Sequence, residues 1–323
     1  MRMNDGSARV LVLANLGTPA APTPQAVSAY LDEFLCDPRV VQLPRWLWKP
    51  LLRRVILPRR SPVVAKKYAS VWMDQGSPLA VHTQHLAQAV QARLPHWKVV
   101  HAMRYGEPAL ASVLRNALLA GAREIRVLPL YPQYSTTTTA SIADVIDGIG
   151  AQAFNARIAM LDDYHLHPAW VRAVADSIRA HWEAQGRGER LLLSFHGLPQ
   201  RVVDAGDPYA AQCEASAAAI ARELGMERAD LELCYQSRFG KGKWLQPSTD
   251  ARLHALAAEG VRTVDAACPG FAVDCLETLE EIAQMEAERF HAAGGEALRM
   301  IPCLNDSPAH AQAIAEIAEG AWN

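Results

Sequence analysis

The sequence predicts an α/β protein of two similar lobes, each a four-stranded parallel sheet flanked by helices, with an active cleft at their junction. Three observations carry this expectation. Short apolar runs bounded by Gly and Pro alternate with Ala-, Leu- and Glu-rich stretches of helical period, the pattern of a parallel sheet with helices on both faces. The runs fall into two sets of four, the first ending at Leu161 and the second starting at Leu191. The 323 residues also provide enough chain for two cores.

The strand candidates are Val10–Leu16, Val99–Arg104, Ile125–Leu130 and Ile158–Leu161, then Leu191–Phe195, Leu231–Tyr235, Thr263–Ala267 and Leu298–Ile301. Helical period marks Ala109–Ala120, Trp170–Gln185, Ala215–Leu224 and Asp250–Glu259. The expected division is a first lobe over residues 1–150, a second over 151–307, and a final helix over 308–323 packing back on the first lobe.

Composition removes several classes of function. The chain is 50% hydrophobic and 20% charged with net charge -2, without the basic excess of a nucleic-acid binder. No apolar run reaches the roughly 18 residues that cross a bilayer. No G-x-G-x-x-G or phosphate-loop pattern follows the first strand, where Asn15-Leu-Gly-Thr-Pro19 has a single glycine. The start, Met1 to Ser7, lacks a signal-peptide cleavage site, so the cytoplasm is the expected compartment. None of the six cysteines forms a C-x-x-C pair, and they read as buried reduced side chains.

Two segments carry chemistry. In Leu191-Leu-Leu-Ser-Phe-His-Gly-Leu-Pro199, a buried strand stops at Gly197 and Pro199 and leaves His196 at its carboxyl end, the edge where open α/β sheets bind ligands. A histidine there can serve as base or metal ligand near neutral pH. The second segment, Cys268 to Ile282, follows another strand. On an α-helix starting after Gly270, Asp274, Glu277 and Glu281 fall within about 60° of one another and Glu288 continues the ridge. Such a helix either turns its acids to water or sets a carboxylate ladder facing His196, suited to a divalent metal or to proton removal.

A third segment, Arg45 to Arg60, holds six basic residues and no acid, with Trp46, Leu47, Trp48, Leu51 and Leu52 on its apolar side. It reads as a membrane-interface element, as the mouth of a cleft for an apolar anion, or as a helix with a solvated basic face.

Seven motifs in order then make a resemblance: Asn15-Leu-Gly-Thr-Pro19, Gly76-Ser-Pro-Leu79, Met103-Arg-Tyr-Gly106, Tyr131-Pro-Gln-Tyr-Ser135, Ser194-Phe-His-Gly-Leu-Pro199, Gln236-Ser-Arg-Phe-Gly240 with Trp244-Leu245, and Asp274-Cys-Leu-Glu-Thr-Leu279. The chain resembles the ferrochelatases, which insert ferrous iron into a porphyrin. The resemblance implies a chelatase-like fold of two Rossmann-like lobes and the last step of haem biosynthesis, with protoporphyrin IX and Fe2+ as substrates. It implies that His196 and Glu277 are the catalytic pair and the metal ligands, and that Asp274 and Glu281 form a proton or metal path. It also implies that Arg104, Tyr105, Trp46, Leu47, Trp48, Tyr134 and Trp244 contact the porphyrin.

The apolar Trp46–Leu52 lip favours protoporphyrin over coproporphyrin III, whose extra propionates suit a more polar pocket. A non-catalytic bilobal haem or metal carrier is the more distant alternative. Many relatives carry histidine where this chain has Cys275, and the carboxyl-terminal cysteines of animal members have no counterpart after Cys303. No permanently bound cofactor and no iron–sulphur cluster are therefore expected. A cytoplasmic monomer that touches the inner membrane face peripherally, and binds no nucleic acid, completes the expectation.

Overall fold

The computed structural model describes residues 9–150, 155–240 and 242–322. The Met1–Ser7 start and residue 151, where the second lobe was expected to begin, lie outside them. All eight expected strands form: β1 (Arg9–Gly17), β2 (Lys98–Tyr105), β3 (Glu124–Pro129), β4 (Arg157–Met160), β5 (Arg190–His196), β6 (Leu231–Gln236), β7 (Thr263–Ala267) and β8 (Ala297–Met300). They pair in parallel as two sheets of the same order, β2-β1-β3-β4 and β6-β5-β7-β8. Parallel strands are covered on both faces, which is why their sequences read as unbroken apolar runs. Leu11 to Ala14 and Leu192 to Phe195 are fully buried.

The shared order has a consequence for function. The first strand of each sheet is internal, and the chain winds away from it to both sides. A crevice therefore opens at the carboxyl ends of the first and third strands, the switch point of a doubly wound sheet. That crevice lies at β1/β3 in one sheet and β5/β7 in the other, and β5 ends on His196.

Helix starts are encoded locally. Thr23–Pro24, Ser77–Pro78 and Ser307–Pro308 each place a hydroxyl to accept from the backbone N–H of Ala26, Ala80 or His310, followed by a proline whose missing N–H costs nothing in the first turn. The helix Tyr209–Leu224 begins six residues before the sequence suggested, because the Asp207 carboxylate accepts from the Tyr209 amide at 3.0 Å. It ends on Gly225 in the left-handed conformation.

Each sheet has its own core. Val10, Val12, Leu110, Leu114, Ile125 and Ile142 build one, and Leu192, Leu253, Leu256, Val264, Ile282 and Phe290 the other. The chain divides accordingly into one unit of the described residues up to Asp163 together with those from Asp306, and a second unit of Tyr164–Asn305. The final helix, Pro308–Glu319, belongs to the first unit. There Arg126 donates to the carbonyls of Ala318 and Gly320 and lies 5.2 Å from the Trp322 ring centre.

The acidic segment differs from its expected form. Glu277–Glu286 is a π-helix, continued by the short α-helix Ala287–Ala292. The basic segment contains a second π stretch, Leu52–Ile56, between the helices Arg45–Leu51 and Leu57–Val71.

Gly17 closes β1 at φ +110, and a Cβ there would lie 1.7 Å from the Tyr105 carbonyl oxygen on β2. Both the conformation and the contact exclude a side chain. Gly17→Ala should lower unfolding free energy by about 2 kcal/mol or more, read as an earlier urea midpoint. An unchanged midpoint would show that the two strand ends can part freely.

Candidate active site

The second unit brings His196 and the acidic segment to one sheet edge. In β5/β6 pairing His196 is opposite Gln236, and the Gly197 amide donates to the Gln236 carbonyl at 2.8 Å. A Cβ on Gly197 would lie 2.7 Å from that carbonyl oxygen and 3.4 Å from the Trp244 ring, so only glycine permits the approach. His196 Nδ1 sits 2.7 Å from the Gly197 carbonyl oxygen. A carbonyl can only accept, so Nδ1 carries the hydrogen and Nε2 of the neutral ring holds the lone pair. Phe271 lies 6.3 Å away, ring centre to ring centre.

The acidic residues adopt a different register from the α-helical one. Asp274 precedes the helix instead of sharing its face. With i→i+5 bonding, residues four and nine apart line up, so Glu286 joins Glu277 and Glu281. Glu286 is 3% exposed, whereas Glu288, expected on the ridge, is exposed to solvent.

Each acid has a distinct environment. The Asp274 carboxylate is buried and accepts from the Thr278 hydroxyl at 2.9 Å, the Asn305 amide at 2.7 Å and the Cys303 backbone N–H at 3.2 Å. Those bonds consume its acceptors and tie down the start of the helix, leaving little for a passing ion. Glu281 accepts from the Ser237 backbone N–H at 2.6 Å and hydroxyl at 2.5 Å. Burial nevertheless raises its carboxyl above the usual range. The Ser237 bonds and the field of His196 oppose that rise, and the charge of Glu277 adds to it. Glu277 itself is half-buried, and its carbonyl accepts from Gln236 Nε2 at 2.6 Å. Glu286 is pushed up to about 7, chiefly by burial. Arg289, 2.8 Å from Oε1, pulls it the other way, and Oε2 has no hydrogen-bond partner.

In the first unit Asp37, 6% exposed, gathers three donors on Oδ2: Arg104 at 2.6 Å, the Tyr105 hydroxyl at 2.7 Å and the Ser141 hydroxyl at 2.6 Å. Arg104 also donates to the Ser141 hydroxyl and carbonyl. Its guanidinium is thus held rigid while partly open. Tyr105, by contrast, is sealed at 1% exposure, and burial drives its hydroxyl well above its usual pKa. Its geometry supports Arg104 through Asp37 and offers no surface to a substrate.

Residues 9–321 match the family profile described as Ferrochelatase. The chain belongs to the ferrochelatase family. It is 55% identical over 316 residues to the ferrochelatase of Stenotrophomonas maltophilia (strain R551-3), covering 98% of both chains. It is 53% identical over 319 residues to that of Xylella fastidiosa (strain M12), covering 99% of both. The Vibrio cholerae ferrochelatase is 46% identical over 318 residues, 98% of this chain and 99% of that one. Among solved structures, SirB from Bacillus subtilis with Fe3+ superposes with TM-score 0.55 at 14% identity, over 75% of this chain and 90% of that one. CbiX, described as the terminal enzyme of sirohaem biosynthesis in denitrifying bacteria, gives 0.52 at 16% identity over 98% of this chain and 100% of that one. At such identities these two structures bear on the fold alone.

Against the family's motifs, the structure sorts the expected residues. His196 and Glu277 act electrostatically on Glu281, and Glu277 and Glu281 are bonded by Gln236 and Ser237 at the carboxyl end of β6, beside His196 on β5. Trp244 is 8% exposed and packs on Phe239, ring centres 5.1 Å apart, as well as over the His196–Gly197 turn, so it shapes the turn more than it faces a ligand. Trp48 tethers the basic segment by donating to the Leu35 carbonyl at 2.7 Å, while Trp46 and Leu47 point outward at 75% and 54% exposure. Tyr134 is half-buried after β3, near the ion pair between Arg39 and Asp144. Cys275 is buried, and burial together with Glu277 raises its thiol well above the usual range, so it stays protonated and does not replace an imidazole ligand. Sequence reasoning passed over Asp37, Ser141 and Glu286 as site residues.

Glu286 yields a pH prediction. Its pKa is raised in the folded state, so the fold holds the proton more tightly than the unfolded chain. This group's contribution is therefore most favourable below about pH 4.5 and is lost as pH rises to about 7. Glu286→Gln should stabilise the protein at pH 8 relative to pH 4.5, on the order of 1 to 2 kcal/mol after solvent screening through the half-exposed Arg289. A stability difference from wild type that stays flat between those pH values would show that Glu286 is ionised throughout.

Proposed function

We propose that the protein inserts Fe2+ into protoporphyrin IX, forming protohaem and releasing two protons, as the last step of haem biosynthesis. The observation that carries this reading is His196 at the end of β5. Its Nδ1 hydrogen is fixed on the Gly197 carbonyl and its Nε2 lone pair is available beside the carboxylates of Glu277 and Glu281.

Porphyrin metallation requires two inner N–H protons to leave as the metal enters. His196 Nε2 takes a pyrrole proton, with the Glu281 carboxylate nearby. Glu277 accepts the other proton, and the π-helical row Glu277, Glu281 and Glu286 passes protons onward. Fe2+ is a substrate here, borderline in character and suited to imidazole and carboxylate donors. Among the described residues no three His, Cys, Asp or Glu side chains converge to cage a cation. His196 and Glu277 act together with the porphyrin nitrogens as the acceptors of the ion. Arg104, rigid on Asp37, suits a charge-assisted bond to a propionate.

The same reading places the protein in the cytoplasm with a peripheral hold on a membrane. Among the described residues no helix is long and apolar enough to cross one. Trp46, Leu47, Leu51 and Val55 nevertheless expose apolar surface between Arg45, Lys49, Arg54 and Arg59, a composition suited to an anionic interface and to a porphyrin on its way in.

Anaerobic assay of the purified protein with Fe2+ and, separately, protoporphyrin IX and coproporphyrin III tests the reading. Faster turnover of protoporphyrin is expected. Stoichiometric haem retention without turnover would identify a carrier instead. His196→Ala should abolish insertion while the fold persists by circular dichroism. Residual turnover within about tenfold of wild type, roughly 1.4 kcal/mol of barrier, would exclude the assigned role.

The double change Trp46→Ser with Leu47→Ser should raise the KM for protoporphyrin and weaken binding to anionic vesicles, with kcat affected less. The loss is a few kcal/mol at most, at about 25 cal/mol per Å2 of apolar surface. Unchanged KM and vesicle binding with a lower Tm would make this face a packing surface.

A further inference from the structure

The segment Gln236-Ser-Arg-Phe-Gly240 has entered the function only as a matched motif, yet its first two residues bond to the turn after His196, to Glu277 and to Glu281. Gln236 is 3% exposed, with its side chain satisfied at both ends. Nε2 donates to the Glu277 carbonyl at 2.6 Å, and Oε1 accepts from the Ser194 hydroxyl at 2.7 Å and the Cys268 thiol at 3.5 Å. Its own carbonyl accepts from Gly197, the residue after His196. One buried residue thus bonds both to the turn that carries the histidine and to the residue that carries the glutamate. Behind it, Ser194 pairs with Thr249 at 2.8 Å, and Thr249 with Cys234 at 3.1 Å, a polar chain anchored in β5 and β6.

Ser237 grips one turn further along. It holds φ +64, a left-handed conformation that a serine adopts at a cost on the order of 1 kcal/mol. That conformation aims both the N–H and the hydroxyl at the Glu281 carboxylate, one donor to each oxygen. A turn needed only to leave β6 could use glycine, which adopts this conformation without penalty. The serine adds a second donor and nothing else that the structure records. Removing a partner from a buried carboxylate frees it to rotate and leaves it poorly solvated.

We propose that Gln236 and Ser237 are positioning residues for metal insertion: a two-point clamp from the end of β6 that fixes Glu277 and Glu281 relative to His196 and holds the acidic segment in its π register. The clamp rests on the chelatase reading above. It acts through the carboxylates without touching substrate, so its removal lowers turnover of bound substrates and leaves their binding nearly intact.

Ser237→Gly is the first test. It suits φ +64, keeps the backbone donor and removes the hydroxyl alone. The expected result is a kcat for iron insertion lower by about tenfold, KM for porphyrin and for Fe2+ within about twofold, and an unchanged Tm. Hydrogen exchange is expected to quicken at the amides of 277–286 and stay as in wild type at 249–258. Gln236→Met, which keeps length but loses both polar atoms, should act in the same direction and more strongly. Should that variant fail to fold, Ser237→Gly decides alone.

A kcat within about twofold of wild type for Ser237→Gly overturns the clamp. So does a KM for porphyrin raised tenfold at unchanged kcat, which would place Ser237 on the substrate surface. If wild-type protein inserts no iron into any porphyrin, the chelatase reading fails separately. Exchange at 277–286 then judges the clamp: unchanged rates in Ser237→Gly overturn it, and faster rates sustain it as the device that sets the register.

Discussion

The Gly197 amide meets the Gln236 carbonyl at 2.8 Å in a space that admits no Cβ, and the chemistry of the second unit is arranged around this contact. It continues the β5/β6 ladder one residue past His196, so the histidine sits on a backbone bonded on both sides instead of on a free loop. The Gly197 carbonyl is then in place to take the Nδ1 hydrogen, which decides where the ring's lone pair lies. The Gln236 side chain leaves the same point toward Glu277. A catalytic group on a loop would wander by more than chemistry tolerates, whereas one at the last bonded residue of a strand inherits the rigidity of the sheet. Trp244, packed over Gly197, closes the turn from the other side.

The eight strands and their division into two sets were legible because both faces of a parallel sheet are buried. That condition leaves no alternation to misread: Leu192 to Phe195 and Leu11 to Ala14 are apolar or small at every position. The switch-point site was legible for the same reason, since a histidine ending an apolar run before glycine has few other places to be. The register of the acidic helix was not. Acids at 277, 280, 281, 286 and 288 lie along an α-helical face or a π-helical face with equal ease. The wider helix is bonded by residues about forty positions earlier, and no local pattern announces those bonds. The same distance hides Asp37, whose three donors lie 67, 68 and 104 residues further along the chain. In sequence it is an ordinary Asp-Pro in a loop.

The two units solve a similar problem differently. Each presents charged side chains near a sheet edge, and each buries the groups that hold them. In the first, a single carboxylate collects three donors, so Arg104 is immobilised by an anion that is itself fully bonded. A buried charge in that state is costly to form but stiff once formed. In the second, neutral groups do the holding: Gln236, Ser237, Ser194 and Thr249 contribute amides and hydroxyls with no net charge. That difference suits what each side is asked to do. A fixed guanidinium keeps its charge at any working pH. In the proposed mechanism the carboxylates exchange protons, which calls for supports whose own charge does not change, so that each transfer alters one group at a time.

Cys275 fits that requirement. A histidine at this position would add a second titrating ring beside Glu277, within a row where Glu281 is raised by burial and by Glu277, and Glu286 by burial and by the charges of Asp250 and Glu281. The buried thiol stays neutral across the same range, because burial and the Glu277 charge both oppose its ionisation. The Glu281 carboxyl responds to the charge of His196, which lowers it, and of Glu277, which raises it. In the proposed mechanism, a Cys275 thiol kept neutral leaves proton transfer along this segment to the carboxylates.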